Sequence, residues 1–390
     1  MASAARIEKL LQEHGAALWL AMQSGEAGKF GIPISIAAKM LRVRKCIARE
    51  VMQILHDSQG VPPAAPTIGQ APAEAVQPVY SDEELVQQKI DRYRRKQDRA
   101  RAARLSRRMW LPNDLPVGIL HIGDPHLDDD GSDLELLRAH LALTRSTPGL
   151  YAGCLGDLSN NWVGKLLRLW AEQHTDKADE KQLISWFFKQ TPLLYFMAGN
   201  HDLWNEGYQY LQAAIREASA VHHQPAVIYL GSTELELTIL APCGESWVIR
   251  LRHNFKGNSQ WNPTHAMTKD AMFRPGADIL VQGHRHNLAI QSRTLPSGQY
   301  VTAIQVNAYK RFDSYAAAHQ FPEHEGGEAV LTILQPLGET QQARTLTYAD
   351  PFTGAEALSV MRREAIERLR RQGEITEDEA EQLLKAELLK

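Results

Sequence analysis

Five short groups of metal-ligating residues occur in order along this chain: Asp124-Pro125-His126, Gly156-Asp157, Gly199-Asn200-His201-Asp202, His253, and Gly283-His284-Arg285-His286. Their carboxylate, amide and imidazole donors suit manganese, iron or zinc better than calcium, which takes all-oxygen shells. Seven such N/O donors are what a two-metal site needs to hydrolyse a phosphoester, activating water and clamping the transferring group.

Donors so far apart in sequence meet only if rigid elements carry them. The apolar runs Val117–Ile122, Leu150–Leu155, Leu193–Ala198 and Ile279–Gln282 each precede one group and read as buried strands. Helices are expected at Leu134–Leu143 and Lys181–Lys189. Further strands are expected within Val227–Leu240, Trp247–Arg252, Tyr300–Val306 and Ala329–Leu334. Two sheets packed face to face and flanked by helices would absorb this content.

The order D-x-H, GD, GNHD, H, GHxH, over roughly Leu115 to Leu334, resembles the calcineurin-like metallophosphoesterase superfamily. The resemblance implies an α/β fold, the four-layer α/β/β/α sandwich of that family. It also implies two divalent cations, with manganese the first expectation and iron or zinc the alternatives. Asp157 would bridge them. Asp124, His126 and His286 would complete one site, and Asn200, His253 and His284 the other. In the family the histidine at His201 faces the scissile phosphate, where it would protonate the leaving oxygen or stabilise phosphoryl charge. Asp202 is expected to hold the His201 ring in the required tautomer. His121, His140, His174, His222, His223 and His265 fall outside the motifs and are expected to be structural or exposed.

One departure narrows the substrate. Protein Ser/Thr phosphatases of the family carry an acidic residue and an arginine soon after GD, to grip phosphate. Here the sequence continues Leu158-Ser159-Asn160-Asn161-Trp162, without the arginine. Ser159–Asn161 could still contact substrate. Trp162 could stack on a base, although packing is the simpler role. Arg285 is a candidate phosphate contact.

The flanking regions suggest a partner. Residues 1–58 read as a helical module. Ile36, Met40 and Leu41 lie on one helical face, Arg42-Val43 makes a turn, and Ile47, Val51, Ile54 and Leu55 form a second apolar stripe. Arg44, Lys45 and Arg49 lie off that stripe, so the module reads either as a helix-turn-helix or as a small bundle with a solvated basic face. Residues 59–80 carry five prolines and read as a linker. A helix is expected over 81–110, opened by a Ser81/Glu84 capping box. Between Lys89 and Arg108 it holds ten Lys/Arg against two Asp, more than solubility requires. Arg94, Arg95, Arg101 and Arg104 are its candidate phosphate contacts. The metallophosphoesterase domain is expected over 111–350. A helical tail over 351–390, with a Thr376/Glu379 capping box, could pack on that domain or mediate homo-oligomer formation through the terminal helices.

The 390-residue length can bury a large core, and the net charge of −3 gives no global affinity for nucleic acid. Cys46, Cys154 and Cys243 fit neither a disulfide framework nor zinc spacing. No apolar stretch is long enough to span a bilayer. Glu8, Glu13 and His14 interrupt what would be a signal peptide. The expectation is a cytoplasmic hydrolase that acts on nucleic acid as a phosphodiesterase or nuclease. A phosphatase or phosphodiesterase of a small molecule or other phosphoester is the alternative. A DNA-binding regulatory protein with a vestigial esterase core is a third reading, disfavoured by the intact donor set.

Overall fold

The computed structural model describes residues 7–14, 18, 22, 33–41, 43, 45–57, 81–102, 104–163, 173–257, 259, 261–311 and 326–388. The linker expected at 59–80 and Arg44 lie outside these residues, as do the side chains of Arg101 and Arg104. The chain divides into two compact units, Met1–Ile90 and Asp91–Lys390. No helix among the described residues is long and apolar enough to cross a membrane.

In the first unit, α1 (Ile34–Met40) and α2 (Lys45–Asp57) pack through Ala37, Ala38, Leu41, Ala48, Val51, Met52 and Leu55. Leu41, Val51 and Leu55 bury as expected, and the expected faces are corrected at three positions. Ile36, Met40 and Ile54 are 47%, 38% and 40% exposed. Ala37, Ala38 and Ala48 are buried in the same cluster. Lys45 and Arg49 are exposed.

The helix α3 (Asp82–Ala102) begins at the expected capping box, with the Ser81 N–H donating to Glu84 at 2.7 Å. It does not run to residue 110. Arg104–Trp110 is a strand, β1, paired in parallel with β6 (Glu234–Leu240). The run of arginines hid an alternation in which Leu105 and Met109 pack against the core while Ser106, Arg108 and Trp110 face out.

The second unit is built on two six-stranded sheets. Besides β1 and β6, one contains β7 (Ser246–Leu251), β8 (Ile279–Gln282), β9 (Ala289–Thr294) and β10 (Tyr300–Gln305), in the order β1-β6-β7-β8-β10-β9. The other contains β2 (Val117–Ile122), β3 (Leu150–Cys154), β4 (Leu193–Met197), β5 (Val227–Gly231), β11 (Ala329–Leu334) and β12 (Thr345–Tyr348), in the order β12-β11-β2-β3-β4-β5. The single run expected over Val227–Leu240 therefore supplies β5 to one sheet and β6 to the other.

Between the sheets lie Val117, Ile119, Leu194, Tyr195, Leu235, Leu237, Ile249 and Val281. Each fully buried aliphatic side chain there stabilises the fold by ~1.5–3 kcal/mol. The far face of the second sheet is covered by α4 (Leu134–Ser146), α5 (Lys177–Gln190), α7 (Gly207–His222) and the start of α10 (Pro351–Gln372). Asp133 caps α4 at its expected start, while Asp176 caps α5 four residues before the expected one. The far face of the first sheet packs on α8 (His265–Phe273) through Met267, Leu280 and Ala303. The result is the four-layer α/β/β/α sandwich.

The helical tail is part of this unit rather than an appendage. Helix α10 places Ala355 and Leu358 in the sandwich core, and turns at Gly373 (φ 72°) into α11 (Glu377–Leu388). The buried Arg362 guanidinium forks onto Glu387 at 2.8–3.1 Å and donates to the Pro116 carbonyl at 2.7 Å.

Candidate metal centre

Five strands of the two sheets deliver the five motifs from their C-terminal ends. Asp124 and His126 follow β2, Asp157 follows β3, and Asn200–Asp202 follow β4. His253 follows β7, and His284 and His286 follow β8. The structure assembles two donor groups: Asp124, His126 and His286 in one, and Asp157, His253 and His284 in the other. Within each, the donor atoms lie within 4.8 Å of one another. Asn200 opens the short helix α6 (Asn200–Leu203), whose His201 N–H donates to Asp157 Oδ1 at 2.9 Å.

The spacing fits cations. Two donors about 2.0–2.2 Å from one ion, at angles between 90° and 109°, stand roughly 3.0–3.4 Å apart. His253 Nε2 lies 3.0 Å from Asp157 Oδ2 and 3.1 Å from His284 Nδ1. His286 Nε2 lies 3.4 Å from both His126 Nε2 and Asp124 Oδ2. His253 Nδ1 donates to the Leu155 carbonyl at 2.7 Å, which frees Nε2 as a lone-pair donor, the usual support of a ligating imidazole. Asp124 Oδ1 and His126 Nδ1 are buried without a hydrogen-bond partner.

Electrostatics favour positive charge here. Burial opposes a proton on His253, yet the Asp157 and Asp124 carboxylates overcome it and push the ring up to about 10. Burial would raise Asp157, but His253, His201 and His126 hold its carboxyl well below the usual range. Burial, with His286 next, drives His126 far down. The backbone is also bent to serve the site. His126, Asp157, His284 and His286 adopt φ of 42°, 50°, 68° and 48°, conformations that cost non-glycine residues of order 1–3 kcal/mol each. Gly156, at φ 96°, has no substitute, since a Cβ there would strike the Met197 carbonyl.

Several expectations are revised. Asp202 does not hold the His201 ring. Its carboxylate accepts the backbone N–H groups of Asp157, Gly199 and Leu158 at 2.7, 2.8 and 3.0 Å. The Asn160 carbonyl takes His201 Nδ1 instead. Ser159, Asn160 and Asn161 are buried and bonded within the protein, not presented to substrate. Trp162 stands edge-on to His201, with ring centroids 5.5 Å apart, and donates from Nε1 to Gln173 at 3.1 Å. Arg285 is exposed between two ligand candidates. His121 and His140 are buried against the Tyr195 and Tyr309 hydroxyls at 2.7 and 2.8 Å, and burial pushes them down to about 3 and about 4.

Sequence reasoning missed the layer behind the motifs. Asp128 accepts the Asn160 N–H at 2.7 Å and the Gln173 amide at 2.6 Å. Asp129 accepts from Asn160 Nδ2 and pairs with the buried Lys310, both at 2.7 Å. The acidic run after the first motif was the available signal.

A comparison with curated proteins gave no match. Among solved structures, the chain is similar to the Haemophilus influenzae NAD nucleotidase at 13% identity, over 60% of this chain and 49% of that one, with a TM-score of 0.33. It is also similar to a conserved Streptococcus pneumoniae TIGR4 protein described as a predicted phosphoesterase, at 11% identity, over 60% and 97% of the two chains, with a TM-score of 0.28. The chain spans about half the length of the nucleotidase. The sequence model described as calcineurin-like phosphoesterase matches residues 117–288, which hold all five motifs. That segment of the chain belongs to the calcineurin-like phosphoesterase family, whose members are metal-dependent phosphoester hydrolases.

Proposed function

We propose that this protein is a two-metal phosphodiesterase acting on nucleic acid. The observation that carries the chemistry is the pair of donor groups meeting from two sheets. The observation that supports the substrate is α3, where Lys89, Arg92, Arg94, Arg95 and Lys96 are all exposed. Such a row can neutralise several phosphates at once.

Asp124, His126 and His286 would hold one cation, and Asn200, His253 and His284 the other, with Asp157 shared. Divalent cations supply charge for the phosphoryl oxygens and lower the pKa of an attacking water. The protein's own residues do the rest. His201 presents Nε2 on the side of Asp157, 4.0 Å from Oδ2. There, as the imidazolium, it would give its Nε2 proton to the departing oxygen and be left neutral with its proton on Nδ1. Trp162 and Trp204 flank its ring and limit water around it, with centroids 5.5 and 4.2 Å away.

The test of this reading is an assay of bis-p-nitrophenyl phosphate, p-nitrophenyl phosphate, and labelled single- and double-stranded DNA. Activity should vanish in EDTA and return best with Mn²⁺. The diester and DNA should be cleaved in preference to the monoester. Full activity in metal-free protein, or cleavage of the monoester alone, contradicts the proposal.

His201→Gln should lower turnover by roughly 10²–10⁴-fold while both cations stay bound. Depleted metal by elemental analysis would make His201 a ligand instead.

Replacing Arg92, Arg94, Arg95 and Lys96 with Gln should weaken DNA binding and flatten its salt dependence. Each phosphate no longer neutralised takes about 0.9 from the slope of log affinity against log salt on duplex DNA. Unchanged affinity at every salt concentration would make α3 a solvated spacer and favour a small phosphoester as substrate.

A further inference from the structure

His201 sits in α6, a helix of only four residues. So short a helix has almost no internal hydrogen bonding to fix a side chain. Three consecutive residues, Asn160–Trp162, supply that support.

Asn161 adopts φ 37°, a left-handed conformation that asparagine tolerates better than most residues. Its Nδ2 donates to the carbonyls of His201 and Trp204, both at 2.9 Å. Its Oδ1 accepts from Lys177 Nζ at 3.0 Å, and Lys177 pairs with the buried Glu180 at 2.5 Å. From this anchored position the amide ties His201 to the residue that caps its helix. One residue earlier, the Asn160 carbonyl faces His201 Nδ1. One residue later, the Trp162 ring meets the imidazole at an interplanar angle of 74°. A carbonyl can only accept, so Nδ1 must carry a proton, and any proton that His201 exchanges passes through Nε2.

We propose that Asn161 is a positioning residue for His201: its side-chain amide locks the His201–Trp204 turn against the 160–162 segment, fixing the Nδ1–H form and aiming Nε2 at the phosphoester. The proposal rests on His201 as the proton donor.

Two variants separate the amide from the backbone. Asn161→Gly keeps positive φ accessible and deletes the amide. Asn161→Asp keeps the shape and turns the donor into an acceptor facing two carbonyls. The full-length protein, loaded with diamagnetic Zn²⁺, is read by nitrogen-15 NMR of the His201 ring. The parent should show a single Nδ1–H form, and both variants should lose it. Turnover is then compared on bis-p-nitrophenyl phosphate and on diphenyl phosphate, whose leaving group is poorer and needs the proton more. Both variants should lose about tenfold more on the diphenyl ester, with two metals per chain retained.

His201→Ala is the control. If it shows no added sensitivity to the leaving group, the proton-donor reading fails, and the NMR comparison alone decides the brace. Retention of the parent ring form in both variants overturns the proposal, as does an equal loss on the two esters. If Asn161→Gly does not fold, Asn161→Asp carries both measurements.

Discussion

Asp157→Asn is expected to take phosphodiester hydrolysis to the background of the assay and to lower metal occupancy. The side chain is almost fully buried, and its two oxygens have different partners. Oδ1 accepts the His201 N–H at 2.9 Å, and Oδ2 lies 3.0 Å from His253 Nε2. An amide of the same shape removes the negative charge and replaces one acceptor with a donor. That donor would face histidine nitrogens already crowded with positive charge. Loss of a partner outside the coordination sphere typically costs about 10–100-fold in affinity or rate, and a shared ligand should exceed that range. Elemental analysis of the purified variant and a diester assay with excess Mn²⁺ check both parts. Wild-type turnover at saturating metal would remove Asp157 from the shared position.

The second large effect is expected at Asp202, and it is one of stability. Its buried carboxylate satisfies three main-chain donors that shape the turns after β3 and β4: the N–H groups of Asp157, Leu158 and Gly199. A buried donor left without an acceptor costs ~1–3 kcal/mol. Asp202→Ala strands all three, so the loss should reach several kcal/mol, a large share of the roughly 5–15 kcal/mol that holds a domain together. Asp202→Asn keeps one acceptor oxygen and should fall between the two. Urea unfolding in EDTA removes the contribution of bound metal from the comparison. An Asp202→Ala midpoint shift worth less than about 1 kcal/mol would show that these N–H groups find other partners. Activity should fall with stability here, because the same turns carry Asp157 and His201.

The sandwich and the donor set were legible because both depend on side-chain identity. The run Val117–Ile122 is buried at every position, and a stretch that apolar, broken only by His121, has few other places to go. Ligands announce themselves by type, and turns placed directly after such strands leave their side chains at one rim of the sheets. The basic stretch misled for the opposite reason. Arg104, Arg107 and Arg108 spoke of a charged helix, while the alternation of Leu105 and Met109 with outward residues decided for an edge strand beside β6. Propensity is a weak prior once a sheet offers its edge.

From sequence alone came the residue types able to hold cations and the two-sheet scaffold that delivers them. Tertiary structure alone decided who supports whom. Asp202 reads in sequence as the partner of a ring, yet it holds three backbone N–H groups, and the ring is held by a main-chain carbonyl. A carbonyl is present at every residue, so no sequence pattern marks the one that matters. The same holds for Arg362 and Glu387, which fasten the last helices to the core across 25 residues. Charged pairs are common in sequence, and only their burial together distinguishes a fastening from a solvated surface.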